Sequence, residues 1–403
     1  MLLMMAEVTK IYALRDIFQA QGLPINGFWA FLSDHQTHVQ WRGLVLHDMI
    51  QPSFSFLVGI GLVYSLANRY AKGQTFFLAA IHALWRSAAL VALGIFLRSQ
   101  TTDSTYFTFE DTLSQIGLGY FFLFLIGHLK SFGQWVSLVT ILAAYWLAFI
   151  LYPAPGSQFD YSAVGVNAEF IAQHHPKDNE SIAAHFNKNS NLAWAADRWI
   201  LNIFPYHGND KNKEFTHNRP DKDENWFHYN AGGYSTLNFI PTLCTMILGL
   251  IAGGWLRNNE TQSRKVFVFA CLGISLLATG MLLDNLDISP IVKRIWTPSW
   301  VMVSGGLSYL ILAAFYFLID IRGWRRWAFP LCVIGANSLA AYLLSDALGY
   351  SGYLHKNLVT HFGEQFFGFF GPVFYDLTLG LTILLIDWLI LFWLYRNKIF
   401  IRI

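Results

Sequence analysis

His38-Val-Gln-Trp-Arg-Gly-Leu-Val-Leu-His-Asp-Met-Ile-Gln-Pro52 runs straight into Ser53-Phe-Ser-Phe-Leu-Val-Gly-Ile-Gly-Leu-Val-Tyr-Ser65. The stretch begins polar and aromatic, then turns apolar from His47 to Ala67, about twenty residues and so long enough to cross a bilayer. Pro52 falls close to the start of the expected helix, where its missing N–H costs least. His47, Asp48 and Gln51 sit in the first turn. A histidine and a carboxylate held where lipid meets water are costly unless they have partners or chemistry to perform. The stretch therefore predicts a membrane protein with work at a membrane edge.

Composition extends that reading to the whole chain. Of 403 residues, 54% are hydrophobic, 17% aromatic and only 13% charged, against about 25% charged in a soluble domain. A net charge of +2 with scattered basic residues excludes nucleic acid as a partner and leaves the lipid bilayer as the expected one. Cys244, Cys271 and Cys332 each lie in an apolar run. They read as small buried hydrophobes, with neither a disulfide framework nor a metal-ligand spacing, so no metal is expected. The apolar start lacks a basic n-region and a cleavage site, so no cleavable signal peptide is expected.

The expected fold is an all-α polytopic membrane protein, a bundle of about ten transmembrane helices. Met1 to Leu14 has too few residues to cross roughly 30 Å of hydrocarbon at about 1.5 Å per residue, so the first span is expected to be incomplete. The others are expected over 47–67, 76–96, 113–129, 135–151, 236–256, 266–283, 299–319, 330–348 and 372–395. Residues 1–151 form the expected first transmembrane half, 152–234 a large hydrophilic loop or cap, and 235–403 the second half. A connection that long is a functional cap more often than slack. Within it, Trp194, Trp199 and Ile203 are spaced as on an interfacial helix.

Lys and Arg in the short loops set the orientation. Arg69, Lys72, Lys130, Arg257, Arg264, Lys265, Arg322, Arg325, Arg326, Arg396, Lys398 and Arg402 fall on one side; Arg98, Lys293, Arg294 and Lys356 fall on the other. The basic side is expected to be cytoplasmic, with both termini there. His38 and the 152–234 loop then lie outside.

His38-x-x-Trp41-x-Gly43-Leu44-x-x-x-Asp48, followed by an apolar helix with Pro, Phe and Gly, resembles the heparan-alpha-glucosaminide N-acetyltransferase family. The stretch from His47 to Gly59 is closer to its bacterial branch, some of whose members occur in amino-sugar utilisation and are described as transporters. Similar patches are Leu113-Ser-Gln-Ile-Gly-Leu-Gly-Tyr120, Asp197-Arg198, Trp296-Thr-Pro-Ser299 and Gly335-Ala-Asn-Ser338. Asn230-Ala-Gly-Gly-Tyr-Ser-Thr236 lacks the acidic residues of the corresponding family segment and is assigned no chemistry. The resemblance also implies a segment ahead of Met1 that completes the first span.

The resemblance implies multi-span enzymes that move acetyl from acetyl-CoA to a glucosamine amine across a membrane. It makes His38 the active-site histidine. From the residues alone, His38 reads equally as an interfacial hydrogen-bonding histidine or as a general base, since a neutral imidazole suits removal of an amine proton near pH 7. Asp48 reads either as a carboxylate at a helix N-terminus or as the group that orients His38. His35 and His47 do not fit the motif. Candidate substrate-binding residues are Glu7, Trp41, Gln115, Asp197, Arg198 and Asn337, with Gln115 and Asn337 as oxyanion donors. Arg69, Arg257, Arg264 and Arg322 are candidates for the phosphates of acetyl-CoA. Arg86, Gln115, Asn238, Asn337, Asp346, Asp376 and Asp387 all need partners inside the membrane and together suggest a polar tunnel.

The expected function is acetyl transfer from cytoplasmic acetyl-CoA, as co-substrate, to glucosamine or a glucosamine-containing sugar on the periplasmic side of a bacterial inner membrane. The alternative is an amino-sugar transporter without chemistry, which predicts related halves and broken helices. A homo-oligomer remains open. No Walker loop, dinucleotide-binding fingerprint or Gly-x-Ser-x-Gly elbow is present, so nucleotide hydrolysis and serine-hydrolase chemistry have no basis.

Overall fold

The computed structural model describes residues 1–100, 102–176, 181–206, 226–347 and 350–401. The middle of the expected cap, 207–225, and the side chain of Asp346 lie outside them. Every regular element among the described residues is helical, apart from an isolated antiparallel bridge between Arg42 and Val292.

Among the described residues, seven helices are long and apolar enough to span a membrane: Leu46–Ala71, Phe76–Ser99, Ser131–Leu151, Thr236–Arg257, Gln262–Asn285, Pro298–Ile321 and Pro372–Arg396. They expose large apolar side chains such as Phe77, Trp85, Phe132 and Phe267, as surfaces facing lipid do and soluble monomers rarely do. Cys271 and Cys332 are on exposed faces and only Cys244 is buried, which corrects the expectation that all three are buried.

The count of ten is not reached, for three local reasons. The expected fourth span is a 15-residue helix, Thr112–Ile126, only about 22 Å long at 1.5 Å per residue. The expected ninth is bent by 80° between Arg326–Ala336 and Ser338–Ser345; counted as one span, it makes eight. At the break, Asn337 Nδ2 donates to Ile399 O at 3.0 Å and its Oδ1 accepts from Ile401 N–H at 3.0 Å. The side chain thus serves as a tether to another segment where an apolar residue would have continued the helix. Finally, Met1 to Ala13 forms short separate turns interrupted at Lys10, whose backbone is left-handed (φ 50°) and whose ammonium pairs with Asp376 at 3.0 Å.

One compact unit comprises Met1–Val39, Leu44–Ile50 and Leu318–Ile403; the other comprises Gln40–Gly43 and Gln51–Phe317. In the first, Met5 packs with Val333, Ile334, Ala340, Ala341 and Leu391. The second is built around Phe239–Arg257, where every residue from Pro241 to Gly253 is buried. The Ile50–Ala71 helix approaches it so closely that a Cβ on Gly59 would overlap Met246 O and one on Gly249 would overlap Phe56 O. Small residues permit such contact between membrane helices. At the far end of the buried helix, Lys265 Nζ donates to the carbonyls of Leu256 and Asn258, both at 2.8 Å, satisfying acceptors that a helix C-terminus leaves open.

The described parts of 152–234 fold onto this second unit. Phe186 stacks on Phe149 with ring centroids 5.2 Å apart, and both share a buried cluster with Trp41 and Tyr145. Leu192–Ile200 is helical, as its spacing predicts, with Trp199 and Ile203 exposed.

Candidate active site

The site forms where the chain turns into its first long span. Leu46–Met49 is a tight 3₁₀ turn leading into the Ile50–Ala71 helix. Asp48 lies in that turn, where the N-terminal dipole of the helix favours a negative charge. One carboxylate oxygen is 2.7 Å from His38 Nδ1; the other accepts the backbone N–H groups of Val39 and Val45, each at 3.4 Å. The Asp48 side chain is 1% exposed and that of His38 is 39% exposed. A buried carboxylate at Nδ1 holds the ring proton there and places the lone pair of the neutral imidazole on Nε2. It also stabilises the imidazolium that forms when Nε2 takes a proton. Such a pair is chemically able to act as a general base with its orienting acid.

His47 is buried, its ring centroid 4.7 Å from that of His38. Its Nε2 lies 3.7 Å from Glu7 Oε2, too long for a hydrogen bond but close enough for charge to be felt. His35 Nδ1 accepts the Leu46 N–H at 3.2 Å, which ties the His35 helix to the turn carrying Asp48. Of the three histidines, His38 alone has the carboxylate at Nδ1. Glu7 also lines a cavity of about 460 Å³ with Lys10, Tyr12, Ser345, His355 and Asp376. Those polar groups did not stand out together in the sequence, because they come from segments more than 300 residues apart.

The other candidates fall elsewhere. Trp41 is buried in the aromatic cluster of the second unit, so its place is in packing, not on an open substrate surface. Gln115 is fully buried, and its Nε2 donates to Phe109 O, Ser235 O and Thr236 O. Asn337 is equally buried, with its Nδ2 committed to Ile399 O. The Gln115 amide hydrogens are taken by these carbonyls, whereas Asn337 Nδ2 uses one of its two N–H donors on Ile399 O. Arg198 stacks over Trp194 at 5.0 Å and lines a surface cavity with Asn202, Trp226 and His228.

Among the arginines, Arg69 bonds Gln74 and His82, and Arg257 lies 6.0 Å over the Tyr64 ring. Both stand at one end of the second unit. Arg264 is paired with Glu260 at 2.9 Å, so its charge is already matched. Arg322 is an exposed residue of the first unit. Described members of the intramembrane polar set bond outside it: Arg86 donates to Tyr120 Oη, Asn238 to Arg294 O, and Asp376 accepts from Lys10. Asp387 is buried with both oxygens lacking a hydrogen-bond partner.

Asp197 is buried, and both its oxygens accept the Thr236 N–H, at 3.0 and 3.1 Å. Burial pushes its carboxyl up to about 7. The protonated form is therefore favoured in the folded state, and the stability this group contributes falls as pH rises from its ordinary 3.8 to about 7. Asp197→Ala strands the Thr236 N–H and should cost about 1–3 kcal/mol. Asp197→Asn keeps an acceptor, removes the buried acid and should abolish that pH dependence. Thermal midpoints of the two variants between pH 4 and 8 distinguish these outcomes.

No family model matches the chain. It is 22% identical over 350 residues to the heparan-alpha-glucosaminide N-acetyltransferase of Homo sapiens, a match covering 78% of this chain and 48% of the human protein. The Mus musculus protein of the same name is 21% identical over 355 residues, 80% of this chain and 50% of that protein. The chain thus spans about half the length of the curated relatives it matches. From its apolar helices and these similarities, the chain is a multi-pass membrane protein distantly related to the heparan-alpha-glucosaminide N-acetyltransferases.

Proposed function

We propose that the protein is a transmembrane acetyltransferase that moves acetyl from acetyl-CoA to the amine of glucosamine or a glucosamine-containing sugar. The observation that carries this reading is the His38–Asp48 pair at the mouth of a membrane span. In the proposed reaction the amine attacks the thioester carbonyl and its proton passes to His38 Nε2. Asp48 stabilises the resulting imidazolium. The tetrahedral adduct then collapses, breaking the C–S bond, and the imidazolium returns the proton to the departing thiolate. A route through an acetyl group carried on His38 uses the same geometry. Glu7, beside the cavity, is the proposed partner for the ammonium form of the acceptor.

The second unit supports a route for the pantetheine arm. Ser and Thr hydroxyls in membrane helices commonly bond the carbonyl one turn back, as Ser304 and Ser308 do. Ser55, Ser87, Ser114, Thr242 and Thr245 are buried with no partner, as is Gln115 Oε1. We assign them to a polar passage that opens at the Arg69 and Arg257 end, where those guanidiniums would meet the phosphates. In this reading the basic end is cytoplasmic, both termini are cytoplasmic, and the membrane is a bacterial inner membrane.

A second reading, an amino-sugar transporter without chemistry, is favoured by the 80° break at Asn337 and by Asp387, an intramembrane carboxylate without a hydrogen-bond partner. Proteoliposomes separate the two. With labelled acetyl-CoA outside and glucosamine enclosed, the enzyme should produce labelled N-acetylglucosamine inside and free CoA outside. Labelled glucosamine that crosses without acetyl-CoA, with no acetylated product under any condition, would decide for the transporter.

A further inference from the structure

The second unit carries a cluster of nitrogen side chains for which neither the acetyl-transfer chemistry nor the packing has a use. Phe170, on the helix Ala168–His174, is its centre. The Lys188 ammonium sits 4.7 Å over that ring. The His174 ring lies 4.6 Å from it and the His175 ring 5.7 Å. Lys188 is only 8% exposed, yet it makes no hydrogen bond or ion pair among the described residues. His175 Nε2 is buried and likewise has no hydrogen-bond partner. A buried donor without a partner, as at His175 Nε2, is expensive because it forfeits its hydration.

The surrounding charges make the cost larger. The guanidinium of Arg294 acts on Lys188, and Lys188 acts in turn on both histidines. Burial and this repulsion push the Lys188 ammonium down to about 8 and His175 down to about 4. Among the described residues no carboxylate pairs with them: Glu110 accepts from Asn230, and Asp197 is spent on Thr236. His174 Nε2 is already held by Gln40 Oε1 at 3.3 Å, which fixes the histidine pair in place.

We infer that Lys188 and His175, walled by Phe170, form a binding site for an oxyanion. An anion seated there would receive hydrogen bonds from both groups and would offset the positive charges of Lys188 and Arg294. Such an anion is either a free inorganic ion or the acidic group of a sugar. Gln40, two residues after His38 in the sequence, bonds the same histidine pair, so an occupied site would brace the chain leaving the candidate base. The inference rests on the second unit alone and does not depend on acetyl transfer.

Calorimetric titration of the purified full-length protein with inorganic sulfate, with a hexuronate and with the matching neutral hexose tests it. Saturable binding of at least one anion and none of the neutral sugar is expected. Tighter binding of sulfate identifies a free ion, and tighter binding of hexuronate identifies an acidic sugar. Lys188→Met and His175→Gln should each weaken the anion at least tenfold, whereas Lys188→Arg and the exposed control Lys72→Met should retain it. Thermal midpoints establish that each variant is folded. Absence of saturable anion binding to the wild type, or unchanged binding in folded Lys188→Met, would overturn the inference.

Discussion

Acetyl transfer to glucosamine should fall by about 10²–10⁴-fold in His38→Ala, the usual contribution of a positioned general base, while acetyl-CoA binding changes little. The separation follows from chemistry: the imidazole acts on the amine proton, and the nucleotide phosphates need cations that His38 does not supply. Asp48→Asn should be less severe, at about 10–100-fold. Its amide oxygen can still accept the Nδ1 proton, but the negative charge that stabilises the imidazolium is gone. His35→Ala leaves the dyad in place and removes only an acceptor for the Leu46 N–H, so it should retain most activity. Initial rates with labelled acetyl-CoA, alongside CoA binding to the same preparations, give both quantities. A His38→Ala protein that acetylates glucosamine at the wild-type rate removes the mechanism. One that loses CoA binding in proportion to rate shows a structural role for the ring instead.

The parts of this picture that were legible in the sequence are those set by local pattern. Apolar runs about twenty residues long place most of the spanning helices. Asp48 could be paired with His38 on paper because the two are ten residues apart on either side of a turn. What was not legible depends on distant partners. Residues 330–348 read as one apolar span, yet Asn337 breaks it by binding a segment more than sixty residues away. Trp41 sits in a motif that suggests substrate contact, but Phe149 and Phe186 from other elements enclose it. Gln115 looked like a free donor and is consumed by three carbonyls, two of them 120 or more residues away. Lys188 and His175 are ordinary loop residues in the sequence. Only the folding of that loop around Phe170 shows that both lack partners.

The second large effect is expected in folding, at the close approach of Ile50–Ala71 to Phe239–Arg257. Gly249→Val should yield no folded, monodisperse protein in detergent, and Gly59→Val should do the same. At both positions the obstacle to a side chain is backbone on the facing helix: Phe56 O, C and Cα at Gly249, and Met246 O with Leu250 N at Gly59. A flexible side chain could swing aside, but a helix backbone moves only by separating the pair. Added methylenes in a packed core cost about 1–3 kcal/mol even where neighbours can adjust. Here separation would also forfeit dispersion contacts along the interface, which carry helix association where lipid supplies no hydrophobic drive. Each helix holds its own control, because a Cβ at Gly61 or Gly254 meets nothing within 4 Å. Gly61→Val and Gly254→Val should therefore fold with thermal midpoints near wild type, both bearing the same β-branched residue at the same intrinsic helix cost. Gly249→Ala should fall between, since its single methyl already overlaps Phe56 O. If Gly249→Val instead matches Gly254→Val in yield and midpoint, the two helices do not meet through these glycines. The buried helix at the centre of the second unit would then need a different neighbour.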